Sequence, residues 1–290
     1  MSERAPATRR AGRPAEPAAL DNIVVILSHT TEPGNLGAVA RALKTMGIRH
    51  LRLVNPSDHL GREARALAHG AEELLEQAVL FDDVRAAVAD AVVVAGTTCR
   101  SRQFRKGALL PPEELAVRLA DHATAGPVAL LFGAERTGLT NDELNLCRYQ
   151  STVPMAQHQP SLNLAQAVML YAWEIRRACL AAAAAASPAR ATRPAPPTSV
   201  HTVSHPHRGT RLPSQEELDT VYAHIAGVMM AVGYSDAERR KFLTYLRHMH
   251  QRAGIVNWEM QIYHLLSRRI LDALGRPRFR GLPLDDGDEV

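Results

Sequence analysis

Three short stretches of the chain combine groups able to bind or hold charge with glycines that leave room for a ligand. The first is Pro33-Gly34-Asn35-Leu36-Gly37, followed by Arg41. It comes just after an apolar run and opens a helical pattern. Asn35 is a natural N-cap, and Gly37 lets another backbone or a ligand approach closely. Arg41 lies four residues past Gly37, which puts both on one helical face, away from the apolar stripe. A capped helix with an exposed arginine accounts for this stretch as well as a binding site does. The second stretch is Phe132-Gly133-Ala134-Glu135-Arg136-Thr137-Gly138-Leu139, where an apolar run ends in glycine and charge follows at once. A turn carrying a surface ion pair explains it; so does a cofactor rim, because glycine removes the Cβ that would block a ligand. The third is Val153-Pro154-Met155, a polar loop, then Ser161-Leu162-Asn163. Ser161 reads as a helix cap, whereas Asn163 is poorly explained inside a first helical turn.

Elements that could hold these stretches follow from the apolar pattern. Short β-branched runs at 23–27, 51–54, 91–95, 127–132 and 151–153 alternate with helical spacing at Leu36, Val39, Leu43 and Met46, around 63–68, and at 113–119. Near-continuous apolar strands separated by helices predict an α/β domain with a parallel sheet covered on both faces. Ligands of such sheets collect at the carboxyl ends of the strands, and each of the three stretches lies at or close to one.

Composition shifts divide the chain into a disordered Pro/Ala/Arg-rich leader over 1–19, the α/β domain over 20–184, a flexible linker over 185–211, a helical extension over 212–275 and a tail over 276–290 that is acidic at its end. The linker is too poor in large apolar residues to offset its ordering entropy. In the extension, apolar stripes at 216–232, 236–252 and 258–274 predict three helices, with Pro213-Ser214 and Ser235-Asp236 as start signals. The middle one carries Arg239, Arg240, Lys241, Arg247, His248, His250 and Arg252. A solvated helix face is the simpler account of these, and an RNA-facing surface needs support from the α/β domain.

Bulk properties narrow the class. A chain of 290 residues with a hydrophobic share of 46% can fill one substantial core and a smaller one. A net charge of +4 and a pI near 9.2 suit a polyanionic partner without requiring one. Three isolated cysteines, Cys99, Cys147 and Cys179, provide neither a disulfide framework nor a zinc site, which makes a cytoplasmic location the expectation. No apolar run reaches the roughly 18 residues that span a membrane. His201, His205 and His207 fall in the linker without an apolar shell, so no metal site is assigned. The chain lacks GxGxxG and GxxxxGK[ST], which argues against a generic nucleotide-binding protein.

In their order and spacing, NxGxxxR, FGxExxGL and VPM…SLNLA together resemble the three motifs of the SPOUT superfamily over about residues 20–180. Within it they are most similar to the TrmH-like RNA ribose 2′-O-methyltransferases. The helical extension and Thr97-Thr98-Cys99-Arg100-Ser101-Arg102 look most like the TrmJ type. The resemblance implies a trefoil knot in the carboxyl-terminal part of the sheet, a homodimer with its active site near the subunit interface, and S-adenosyl-L-methionine as cofactor. It implies tRNA as partner, methylated on a pyrimidine ribose of the anticodon loop (the position 32 type). Ribosomal RNA and a non-catalytic RNA-binding role are the alternatives. Thr97, Thr98, Cys99, Gly133, Val153, Met155, Ser161, Leu162 and Asn163 are implied to line the cofactor pocket, largely through backbone groups. Asn35, Arg41, Glu135, Ser161 and Asn163 are implied to be catalytic.

The family casts Arg41 as a base, but a guanidinium stays protonated and has no acceptor. Arg41 is therefore expected to hold phosphate and stabilise the developing alkoxide, the proton leaving through phosphate, water or Glu135. Asn35 is expected to orient Arg41 or the ribose. Glu135 is expected to fix Arg41 or its own loop, and Ser161 with Asn163 to hold the cofactor loop and substrate.

Overall fold

The computed structural model describes residues 16–99, 109–156, 158, 161–186 and 210–275. Most of the leader, Arg100-Ser101-Arg102, most of the linker with its three histidines, and the acidic tail lie outside the described residues. Among the described residues, six parallel strands form one sheet in the order β3-β2-β1-β5-β4-β6. They are β1 (Ile23–Ser28), β2 (His50–Val54), β3 (Val79–Phe81), β4 (Val93–Thr97), β5 (Val128–Phe132) and β6 (Tyr149–Ser151). Between them run helices α1 (Pro33–Met46), α2 (Arg62–Ala68), α3 (Glu72–Glu76), α4 (Val84–Ala87), α5 (Pro112–His122) and α6 (Asn141–Leu146), and α7 (Leu164–Ala186) follows β6.

Every residue of β1 is buried because each face of the sheet is covered. Ile23, Val25 and Leu27 join the core built with Leu36, Val39 and Leu43 of α1, Leu115 and Leu119 of α5, and Val168 and Ile175 of α7. Val24 and Ile26 point the other way, toward Val84 and Ala87 of α4 and Leu144 and Leu146 of α6. The expected parallel sheet is thus observed. Two strands are displaced by two residues, from 91–95 to Val93–Thr97 and from 151–153 to Tyr149–Ser151. β3 was not expected: it is a three-residue edge strand whose Val79 and Leu80 are exposed, so it carries no alternation.

The described residues reach into both the expected leader and the expected linker. Glu16 pairs with Arg176 of α7, and Ala18–Asn22 form a 3-10 turn that tucks Leu20 into the core. At the other end, α7 continues through Ala186, as a run of alanines, the strongest helix former, allows. Arg211, counted with the linker, forks onto Glu217 and accepts a backbone hydrogen bond from Asn257.

The extension is three helices, α8 (Gln215–Ala231), α9 (Asp236–Ala253) and α10 (Asn257–Ala273), as the apolar stripes predict. Ser214 and Ser235 both close capping boxes, with Glu217 and Glu238. Backbone hydrogen bonds from Gln215 to Ala91 and from Glu216 to Ala89, an Arg85–Asp219 ion pair, and Gln251 Nε2 on the Asn145 carbonyl tie it to the α/β domain. The basic residues of α9 divide by position. Arg247 lies 4.6 Å over the Tyr222 ring, and His250 is buried between the hydroxyls of Tyr222 and Tyr263. Arg239 pairs with Asp236, while Arg240, Lys241 and Arg252 stand exposed.

Burial pushes His224, His250 and His264 below the ordinary histidine value of 6.5, and neighbouring His224 adds to the effect on His264. The Nδ1 atoms of His224 and His264 lie 2.7 Å apart, a contact that requires at least one neutral ring. The unfolded chain takes up protons on these rings as pH falls past about 6.5, and the folded one resists. The stability they contribute is therefore complete above that value and drains as pH drops below it. Thermal melts between pH 8 and pH 5 should show the melting temperature falling on the acid side, and a smaller fall in His264→Phe. Equal falls in both proteins would remove the pair as the cause.

Candidate active site

Because all six strands run parallel, their carboxyl ends share one edge of the sheet. The edge is stitched by hydrogen bonds that continue past the strands. The amide of Thr98 donates to Ser151 O at 2.9 Å, and Thr97 Oγ1 donates to Leu131 O at 3.1 Å. The segments leaving β4, β5 and β6 are therefore neighbours. They carry Thr97, Thr98 and Cys99, then Gly133, then Val153 and Met155. Of these Cys99 is exposed, whereas the other five are half-buried. Ser161 and Leu162 are exposed immediately before α7.

Gly133 has a steric reason. A Cβ there would lie 2.2 Å from both Gly138 C and Leu139 N. The loop 133–139 doubles back on itself, and Ala134 and Gly138 form an isolated bridge. That fold-back delivers Glu135 toward α1. Glu135 Oε1 accepts from Asn35 Nδ2 at 2.8 Å, and Oε2 accepts from the amide and hydroxyl of Thr31, each at 3.2 Å. Burial pushes the carboxyl up, but these donors, with the Glu32 amide, outweigh it and hold Glu135 below the ordinary carboxylate value.

The third stretch closes the set. Asn163 Nδ2 donates to Asn35 Oδ1 at 2.8 Å, and Asn163 Oδ1 accepts from the Ala165 amide at 2.9 Å. Asn163 is thus the side chain that caps α7, in place of Ser161. Asn35 is not a cap either. Pro33 starts α1 after Glu32, and the Asn35 amide side chain bridges Glu135 to Asn163. The two asparagines, of which the sequence explains only Asn35 as a local helix signal, join three stretches that are 100 and 128 residues apart in the chain.

Arg41 does not join this set within one chain. It stands exposed six residues farther along α1, and Gly37 does not share its surface: a Cβ on Gly37 would lie 2.0 Å from Ala64 O. Gly37 is buried where α1 packs backbone to backbone on α2. Beside Arg41, Ala38, Ala42 and Met46 face Ala165, Met169 and Trp173 of α7 across a groove of 630 Å³, with Trp173 half exposed.

Three supporting residues escaped the reading of the sequence. Thr31 was passed over because nothing local marks it. Glu143 accepts from the Thr140 amide at 2.6 Å and from Ser28 Oγ, tying the end of the Glu135 loop to the end of β1. The spacing Thr140-x-x-Glu143 is a capping-box signature and could have been read. Tyr171, within the helix that follows Ser161, hydrogen-bonds Ser151.

Among the described residues, no three His, Cys, Asp or Glu side chains gather to hold a metal ion, and no helix is long and apolar enough to cross a membrane. Comparison with known proteins gives one family model, the SpoU rRNA Methylase family, matching residues 22–173. Across 244 residues the chain is 37% identical to tRNA (cytidine/uridine-2′-O-)-methyltransferase TrmJ of Pectobacterium atrosepticum, covering 84% of this chain and 94% of that protein. It is also 37% identical to tRNA (cytidine/uridine/adenosine-2′-O-)-methyltransferase TrmJ of Pseudomonas aeruginosa, covering 84% and 91%. Among solved structures, TrmJ from Z. mobilis ZM4 aligns with a TM-score of 0.66 at 29% identity, over 85% of this chain and 98% of that one.

Proposed function

This chain belongs to the SpoU rRNA methylase family, and from that premise we propose that it is an S-adenosyl-L-methionine-dependent methyltransferase acting on a ribose 2′-hydroxyl of tRNA. The observation that carries the proposal is the hydrogen-bonded set Asn35–Glu135–Asn163, which ties all three motif stretches to the strand ends. The names of the relatives, matched nearly end to end, support tRNA over ribosomal RNA and favour a pyrimidine among the target bases. An anticodon-loop target of the position 32 type, a cytoplasmic location and a trefoil knot at the β4–β6 edge belong to the same proposal.

The residues at that edge suit the cofactor. Val153, Met155 and Leu162 offer apolar surface for a purine beside the backbone groups of 97–99 and 133. When bound, S-adenosyl-L-methionine supplies an electrophilic sulfonium methyl. The protein's own contribution is chiefly positioning, since charge is dispersed rather than created in the transfer. Arg41 holds the phosphate of the target nucleotide and stabilises the 2′-oxygen as it loses its proton. Glu135 is an anchor for its loop and for Asn35: both of its oxygens already accept from the protein, and its carboxyl is a weakened base. That leaves phosphate or water to take the proton. Asn163 sets the start of α7 and, with Ser161, the wall of the cofactor loop.

A second copy covering the α1–α7 groove would make a homodimer and carry Arg41 across to the partner's site. In support, Arg41 stands next to groove residues Ala38 and Ala42 and is not joined to its own chain's Asn35 set. The exposed Arg240, Lys241 and Arg252 on α9, with exposed Tyr245 between them, supply cations and a stacking ring for RNA.

The test is incubation of the purified protein with radiolabelled S-adenosyl-L-methionine and unmodified tRNA, then nuclease mapping of the label. Label on a 2′-oxygen in the anticodon loop is the expected result. Transfer to ribosomal RNA alone would keep the chemistry and discard the substrate. Absence of transfer and of cofactor binding would leave a non-catalytic RNA-binding protein.

A further inference from the structure

One buried hydroxyl is linked to this edge of the sheet through Ser151. Tyr171 of α7 is 2% exposed, and its hydroxyl donates to Ser151 Oγ at 2.8 Å. Ser151, with no exposed surface, passes the bond on, donating to Leu110 O at 2.7 Å. The carbonyl of Ser151 takes the Thr98 amide, and the amide of Thr152 bonds Leu110 O at 3.1 Å. The Tyr171 ring meets Phe132 edge to face, centroids 5.7 Å apart, one residue before Gly133. On its own helix Tyr171 lies two turns beyond Asn163.

We infer that Tyr171, through Ser151, is the positioning residue that sets the four cofactor-lining segments in mutual register, and that it acts on cofactor affinity rather than on the transfer step. This rests on the reading of that edge as an S-adenosyl-L-methionine site. Two buried hydroxyls in series are an expensive way to fill a core, since each must be satisfied or cost its desolvation. An apolar pair would pack the same volume without that constraint. What the hydroxyls add is direction: a hydrogen bond fixes the spacing of β6 from the 109–110 segment and of α7 from β6, which dispersion contacts leave soft. Burial pushes the Tyr171 phenol up to about 12, so it remains a donor across the working pH range. Tyr171 is not a catalytic residue, because its hydroxyl is enclosed and already donated to Ser151.

Tyr171→Phe removes the hydroxyl and keeps the ring against Phe132, while Ser151 retains Leu110. The variant should bind S-adenosyl-L-methionine about five- to tenfold more weakly by calorimetry, in keeping with one lost buried hydrogen bond. KM for the cofactor should rise to match, with kcat at saturation and the Kd for tRNA within about twofold of wild type. Val25→Ala, a buried truncation in β1, measures what lost stability alone does to cofactor affinity. Wild-type affinity in Tyr171→Phe, or an equal loss in Val25→Ala at matched melting temperature, would overturn the inference while leaving the proposed function intact. Failure of the wild-type protein itself to bind the cofactor would take down the function and the inference together.

Discussion

Arg41→Ala is expected to lower kcat by about 10²- to 10³-fold, the usual cost of removing one preorganised donor from a developing oxyanion. Cofactor affinity should not change, because the role proposed for Arg41 is on the phosphate and the 2′-oxygen and not on the cofactor. Arg41→Lys keeps the charge but loses the planar fork that grips phosphate, so it should recover only part of the loss. Its kcat–pH profile separates two roles. If Arg41 were the base, the basic limb of the wild-type profile would vanish in Arg41→Lys; an anchoring role leaves the limb in place and lowers the plateau.

The same residue reports on the dimer. Chains carrying Arg41→Ala and chains carrying Asn163→Ala should each be inactive alone. If Arg41 serves the partner's site, mixing them equally regenerates one intact site in each mixed dimer, and about a quarter of wild-type activity returns under two-fold symmetry. If Arg41 serves its own chain, every site in the mixture lacks one residue and nothing returns.

Gly133→Ala is the second large effect. A methyl at 2.2 Å from the Gly138–Leu139 backbone cannot be accommodated by turning a side chain, so the loop itself must open. Overpacking of this kind costs about 1–3 kcal/mol or more, which at about 2–4 °C per kcal/mol lowers the melting temperature by roughly 2–12 °C. Opening the loop also withdraws Glu135 from Thr31 and Asn35, so cofactor binding and turnover should both collapse at temperatures where the variant is still folded. A variant that melts early yet turns over normally below its transition would show that the fold-back serves stability alone. Gly138→Ala provides the contrast: nothing lies within 4 Å of its Cβ, and its cost comes from a φ of 67°.

Much of the architecture is legible in local patterns. β1 alternates between two cores and reads as a continuous apolar run because both of its faces are covered. The helices of the extension fall within one residue of the limits their stripes predict, since Ser214 and Ser235 satisfy the first amides from within their own turns. The short elements are not legible. β3 has two exposed apolar residues and no alternation, and α3, α4 and α6 are too brief to express a helical period.

At the site, the sequence by itself determined the three motif stretches; the tertiary structure decided which of their side chains meet. Asn35 looks like a cap and Asn163 like an ill-placed first-turn residue, because capping signals are read from a few neighbouring residues alone. Only the approach of α1, the Glu135 loop and the start of α7 makes one of them a cap and the other a bridge. Gly37 and Gly133 both signal close approach, but whether a ligand or a backbone arrives is set by α2 and by the fold-back at Gly138. Nothing local marks Tyr171 and Ser151 as partners. Propensity, capping and periodicity act over a few residues, whereas these contacts are imposed by burying both faces of one sheet, which brings together segments that chain order keeps far apart.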